Sequence, residues 1–167
     1  MKKIIFVTMS LWLAAFTSIA GNIETGNIIN TISDYKQVPG VQVISIGKFG
    51  LGLAKIVANL AAESEEDKAV LSILNGINQL VVVNYEDAAE AKQNELNTKL
   101  SKLFNTAEKI IEVKDEEETV NIYGTSVNGG ESIDDLMIFI PEDHSLICFL
   151  GSISAERIAG LIKITNE

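Results

Sequence analysis

The chain has little of what carries most enzyme and cofactor chemistry. Among 167 residues there is one cysteine, one histidine, one tryptophan, two prolines and a single arginine, Arg157. One cysteine excludes an intrachain disulfide framework. One histidine beside it leaves too few ligands for most zinc sites. Basic residues number 13 against 23 acidic ones. That balance argues against nucleic acid, because phosphate binding needs clustered Lys and Arg to release counterions. Anionic membrane surfaces are disfavoured for the same reason. What the chain does have is a hydrophobic fraction of 47% with 22% charged residues, which describes a globular chain of one domain's length.

The N-terminus reads as a secretory signal peptide over residues 1–20. Lys2 and Lys3 form a positive start, Ile4 to Phe16 an apolar stretch, and Ser18-Ile19-Ala20 a small-residue cleavage site, so cleavage is expected after Ala20. The apolar stretch is 13 residues long, where a spanning helix needs about 20, and no later segment is long enough. The mature chain is therefore expected to be periplasmic or secreted, without a stable membrane span. No cysteine follows the apolar stretch, so a lipid anchor by the usual route is not supported. Losing Lys2 and Lys3 leaves 11 basic residues against 23 acidic ones, a net charge of −12. The simplest role for that charge is solubility.

Residues 21–38 form an N-terminal segment with a short helix carrying Ile29, Ile32 and Tyr35, and residues 39–167 form a single α+β domain. Pro39-Gly40 punctuates before a strand over Val41 to Ile46, whose apolar residues suggest burial on both faces. A helix is expected over Leu51 to Ala62, with Ile56, Val57 and Leu60 on one stripe. A solvated break over Glu63 to Lys68 and a helical turn over Ala69 to Leu74 follow. Leu80 to Asn84 is a strand. Asp87 is placed to cap a helix running to about Phe104, with Leu96, Leu100, Leu103 and Phe104 inside.

The rest changes character. Ile110 to Val113, Val120 to Tyr123, Leu136 to Ile140 and Leu146 to Leu150 are four short strands joined by turn-forming segments, so sequential antiparallel pairing is expected. The last two are apolar on both faces and belong at the sheet centre. A closing helix over Ala155 to Ile164 has Ser154 as its cap. The fold class is thus α+β: two layers, a mostly antiparallel sheet with a C-terminal four-strand meander, and helices packed on one face.

Chemistry is hard to find. His144 lies in the turn Pro141-Glu142-Asp143-His144 and reads as a turn residue, not a catalytic base. Cys148 alternates into an apolar strand and reads as a small core residue. Gly124 to Gly129 lacks the G-x-S-x-G spacing of a nucleophile elbow. Gly47-Lys48 lacks the rest of a phosphate-binding loop: Phe49 follows the lysine, and Gly40 is seven residues before Gly47. Gly47, Gly50 and Gly52 are read as shaping a strand-to-helix turn. The acidic runs at Glu63 to Asp67 and Asp115 to Glu118 lack the alternation of a calcium loop. Asp134-Asp135 reads as a strand boundary, with no aromatic platform for a sugar beside it. No catalytic, cofactor-binding or metal residue is assigned, and no cofactor is expected.

Three stretches resemble a known family. They are Gly40-Val-Gln-Val-Ile-Ser-Ile-Gly-Lys48, Ala107 to Asp115 with Val120-Asn-Ile-Tyr123, and Ser132 to Ile140 followed by Leu146 to Gly151 and the closing helix. Over roughly residues 35–165 the chain is similar to domain of unknown function 4252, small exported proteins of bacterial cell envelopes. The resemblance implies export and a shared fold, and it supplies no activity or functional residue. Many members are lipoproteins, and the missing signal-peptide cysteine departs from that.

The expected function is an exported non-enzymatic binding or accessory protein of the cell envelope. Two alternatives stand beside it. One is a hydrolase dependent on carboxylates or His144; the other is a stress- or signalling-linked accessory acting through protein contacts. The expected partner is another envelope protein or a second copy of the chain. It would meet the second sheet face, since the central strands are apolar on both sides.

Overall fold

Val- and Ile-rich runs, each stiff at χ1 and suited to a pleated surface, build a six-stranded sheet. The computed structural model describes residues 24–52, 74–114 and 119–158. In chain order these give helix α1 (Thr25–Tyr35), strands β1 (Gln42–Gly47) and β2 (Ile77–Asn84), helix α2 (Glu90–Phe104), and strands β3 (Lys109–Lys114), β4 (Thr119–Val127), β5 (Ser132–Ile140) and β6 (Ser145–Ser154). Residues 48–52 and 155–158 are also helical. The expected helical stripe at Ile56, Val57 and Leu60, the break at Glu63 to Lys68, the acidic run at Asp115 to Glu118 and the end of the closing helix lie outside the described residues.

The strand order is β1-β2-β6-β5-β4-β3, and every neighbouring pair is antiparallel. The α+β class and the C-terminal meander β3 to β6 are as the sequence predicts. So is the central position of the last two strands. β4 and β6 run further than their apolar runs, because Thr125 to Val127 and Gly151 to Ser154 continue the ladder with β5.

Helices α1 and α2 cover the first sheet face. Ile28, Ile32 and Tyr35 of α1 and Leu96, Leu100 and Phe104 of α2 are buried there with Val83, Tyr123, Met137, Phe139, Leu146 and Cys148. Ile28 takes the inward position on α1, and Ile29 is half-buried. Phe104 stacks on Tyr123 at 4.3 Å between ring centroids and on Phe139 at 5.3 Å. Lys99 of α2 sits over the Tyr35 ring of α1 at 5.0 Å, joining the two helices at their outer rim.

Three expectations are corrected. The helices do not lie on one face only: Leu51 and Ile158, from the helical residues 48–52 and 155–158, pack on the second face with Ile77, Ile133, Leu136 and Ile153. Asp87 does not cap α2: the helix starts at Glu90 with Ala89 at the cap position and no side-chain cap bond. The backbone of Asp87 instead lies against Gly40, whose φ of +84° would set a Cβ 2.2 Å from the Asp87 carbonyl oxygen. Strand β1 is not buried on both faces: Gln42, Ile44, Ser45 and Gly47 are exposed, and among the described residues no strand pairs with its second flank.

On the water side of α2, Glu95 receives Lys92 at 2.8 Å and Lys99 at 3.1 Å. Lys92 first, with Lys99 beside it, holds its carboxyl down at about 2, against an ordinary 4.5. A depressed carboxylate stabilises the fold above its ordinary value, and that contribution is lost as pH falls from 4.5 toward 2. The expected result is a Glu95 NMR titration with a midpoint near 2. Because the pair is exposed, added salt should move the midpoint back up. A midpoint at the ordinary value would show the two ion pairs to be absent in solution.

Candidate functional site

His144, Cys148 and Asp135 are tied into the architecture. His144 ends the turn between β5 and β6, with a φ of 50°. Its N–H donates to the Pro141 carbonyl at 3.2 Å, and its carbonyl accepts the Tyr85 N–H at 2.9 Å. Its ring meets Tyr85 edge to face at 5.5 Å. The Tyr85 hydroxyl donates to Asn97 Oδ1, and Asn97 in turn donates to the Pro141 carbonyl at 3.1 Å. The turn is thereby fastened to α2. Burial raises the Tyr85 hydroxyl above its ordinary pKa.

Cys148 is fully buried between Met137 and Val81 on the first face. Burial first, and the nearby Asp135 carboxylate second, push its thiol up to about 12. The thiolate is the reactive form, so Cys148 should resist alkylation in the native protein and react only after unfolding. Iodoacetamide labelling with and without urea checks this. Rapid native labelling would contradict the burial.

Asp134 and Asp135 part company in the structure. Asp135 takes a φ of 53° at the irregularity between β5 and β6. Its Oδ1 accepts the Gly151 N–H at 2.9 Å and its Oδ2 accepts the Thr25 hydroxyl at 2.7 Å. One carboxylate thus ties the start of α1 to the middle of β6. Asp134 points its Oδ1 into a buried position with no hydrogen-bond partner. No hydrogen bond among the described residues joins His144, Cys148 and Asp134. Nor do three or more His, Cys, Asp or Glu gather there in a way that could hold a metal ion.

The glycines near Lys48 do less than expected. Gly47 and Gly52 have open space where a Cβ would stand, and a Cβ at Gly50 would press only on the Ile46 side chain. The turn does not require Gly47 or Gly52 for conformation. Residues Gly124 to Val127 belong to β4, and the turn after them is the 3-10 segment Asn128–Gly130.

The second sheet face carries the feature that sequence alone could not place. Following the register across all six strands, Ile44, Val82, Ile147, Ile138, Ile122 and Ile111 lie in one row. On the first face the neighbouring row from Val83 through Leu146 to Phe139 is buried. In the second-face row five residues are half-buried, and Ile44 is 56% exposed. Toward one end of this face Leu51 packs with Ile77, Ile133, Leu136 and Ile153, and Ile158 adds to them. Phe49, just past β1, is 82% exposed. Each strand's alternation marks these residues as apolar. Which of them line up, and which end of the row is open, depends on non-local strand order.

No helix among the described residues is long and apolar enough to cross a membrane. No curated protein and no solved structure matches the chain. The family model for the Domain of unknown function (DUF4252) matches residues 35–161, from the end of α1 past β6. That span covers all six strands and most of the sequence, so the chain belongs to the DUF4252 family.

Proposed function

We propose that this chain is an exported, non-enzymatic protein of the bacterial cell envelope that acts by binding another macromolecule through the second face of its sheet. The observation that carries the reading is the row from Ile44 to Ile111. One β-branched residue from each of six strands stands in line, and none of them is fully buried. Apolar residues left partly open to water along one sheet face suit a partner that covers them and excludes that water. The basic start and apolar stretch of residues 1–20 support export. Support for a non-enzymatic role comes from the engagement of His144, Cys148 and Asp135 in turn, core and helix contacts.

Photocrosslinking in intact cells tests the reading. A photoreactive amino acid in place of Ile138, at the middle of the row, is expected to capture another envelope component. The same group in place of Lys102, exposed on α2, should not. Crosslinks from Ile138 that reach only the chain's own residues would contradict a binding role for this face. The hydrolase alternative has its own check: His144→Ala and Asp134→Asn should leave the chain's role intact in a strain without the native copy.

A further inference from the structure

Two Asn-Gly pairs lie among the described residues, Asn75-Gly76 before β2 and Asn128-Gly129 between β4 and β5. Both asparagines are exposed among those residues. In an Asn-Gly pair the backbone amide readily reaches the preceding side chain, because glycine puts no Cβ in the way. The reaction needs the peptide unit between the two residues to turn until the glycine nitrogen faces Asn Cγ. Freedom of the backbone therefore decides which pair reacts, and the two pairs differ in it. At Asn75 the carbonyl accepts the Arg157 guanidinium at 2.8 Å. Gly76 is wedged: its φ is +101°, and a Cβ there would stand 2.1 Å from the Ser152 carbonyl oxygen. Its own carbonyl accepts the Ser152 N–H at 3.1 Å. Asn128 and Gly129 instead sit in a single 3-10 turn, with φ of 53° and 70°. Among the described residues nothing lies within 4 Å of a Gly129 Cβ, and the Ser126 hydroxyl, at 3.8 Å, is all that comes near one at Gly130. Left-handed backbone costs an asparagine some free energy, so rotation out of it relieves strain.

We infer that Asn128 is a site of spontaneous covalent modification, converted to aspartate and isoaspartate through a cyclic imide, while the fold protects Asn75. This goes beyond the binding role above and does not depend on it. The Gly129 amide nitrogen gives its proton to hydroxide and attacks Asn128 Cγ. A bond forms between that nitrogen and Cγ, and the bond from Cγ to Nδ2 breaks. Nδ2 takes a proton from water and leaves as ammonia, which restores the hydroxide. Water, the co-reactant, then opens the imide, and nothing is oxidised or reduced. Opening at Cγ gives aspartate. Opening at the backbone carbonyl gives isoaspartate, whose main chain runs through the side-chain methylene. Both products add negative charge beside Glu131, and isoaspartate also lengthens the turn. The Glu131 carbonyl accepts the Ala155 N–H at 2.9 Å, so the change falls next to the contact that holds the chain just past β6.

Peptide mapping by mass spectrometry, on the folded chain incubated at mildly alkaline pH, reads the outcome. Peptides holding Asn128 are expected to gain the mass of an acid in place of an amide, and an isoaspartyl methyltransferase should label them. Asn75 should react more slowly by about tenfold or more, because reaction there waits on local opening of the Gly76–Ser152 contact. In urea that protection is lost, and the two rates should converge. Gly129→Ala should remove most of the methyl labelling at Asn128, and circular dichroism checks that this variant is folded. Equal rates at Asn75 and Asn128 in the folded chain would overturn the inference. So would an Asn128 that stays intact in the folded chain while it reacts in urea, or labelling at Asn128 undiminished by Gly129→Ala.

Discussion

Gly151→Ala is expected to destabilise the fold by about 4 kcal/mol, from positive-φ strain and steric overlap together. Gly151 has a φ of +138°, and a Cβ built there would stand 2.2 Å from the Gly76 carbonyl oxygen. Gly76, at a φ of +101°, would place its own Cβ 2.1 Å from the Ser152 carbonyl oxygen. The two backbones are locked together by the Ser152 N–H, which donates to the Gly76 carbonyl at 3.1 Å. This contact sits where the β2–β6 register is irregular, between Ile77 and Gln79. None of the opposing atoms is a flexible side-chain end, so the backbone must move. A urea denaturation midpoint measures the loss. Gly129→Ala is the control: its φ is +70°, but nothing lies within 4 Å of the added methyl, so it should cost only about 1 kcal/mol. Equal losses at Gly151 and Gly129 would show that backbone conformation alone, and not the close approach, sets the requirement.

Phe139→Ala should cost about 3–5 kcal/mol, while Ile138→Ala, one residue away, should cost near 1 kcal/mol. The two side chains point to opposite faces of β5. Phe139 is 2% exposed and stacks on Phe104 beneath α2. Its removal leaves a cavity that the surrounding Tyr123, Leu146 and Leu100 can only partly close. Ile138 is half-buried in the second-face row, so truncation removes fewer contacts and leaves a site open to water. Denaturation of the two variants side by side therefore compares the faces directly. If Ile138→Ala were as damaging as Phe139→Ala, the second face would be a sealed core layer, and its availability to a partner would be lost.

Local chemistry explains which parts of this fold could be read from sequence. The meander strands announce themselves because Val and Ile runs alternate with Asn128-Gly129-Gly130 and Pro141 to His144, and both signals act over a few residues. The inner positions of β5 and β6 follow from apolar residues on both of their faces. Asp87 is a good capping residue by type, yet the chain takes one further turn through Ala88, which is buried, before α2 begins, so residue type alone points to the wrong cap. The edge position of β1 was hidden for a different reason. Val43, Ile44 and Ile46 look the same in sequence whether one strand or two flank them, and the choice is made by β2 pairing with β6, some 70 residues downstream. In sequence Asp135 is only one of a pair of acids. Its left-handed backbone, and the reach of its carboxylate to Thr25 and Gly151, arise from the irregularity between β5 and β6, which leaves no mark in the local sequence.

Native mass spectrometry of protein purified gently from its own host shows whether the chain works in association with another molecule. Ions heavier than one chain, by the mass of a second copy or of a bound envelope component, are expected. Ions of the single bare chain alone, in every gentle preparation, would contradict that association.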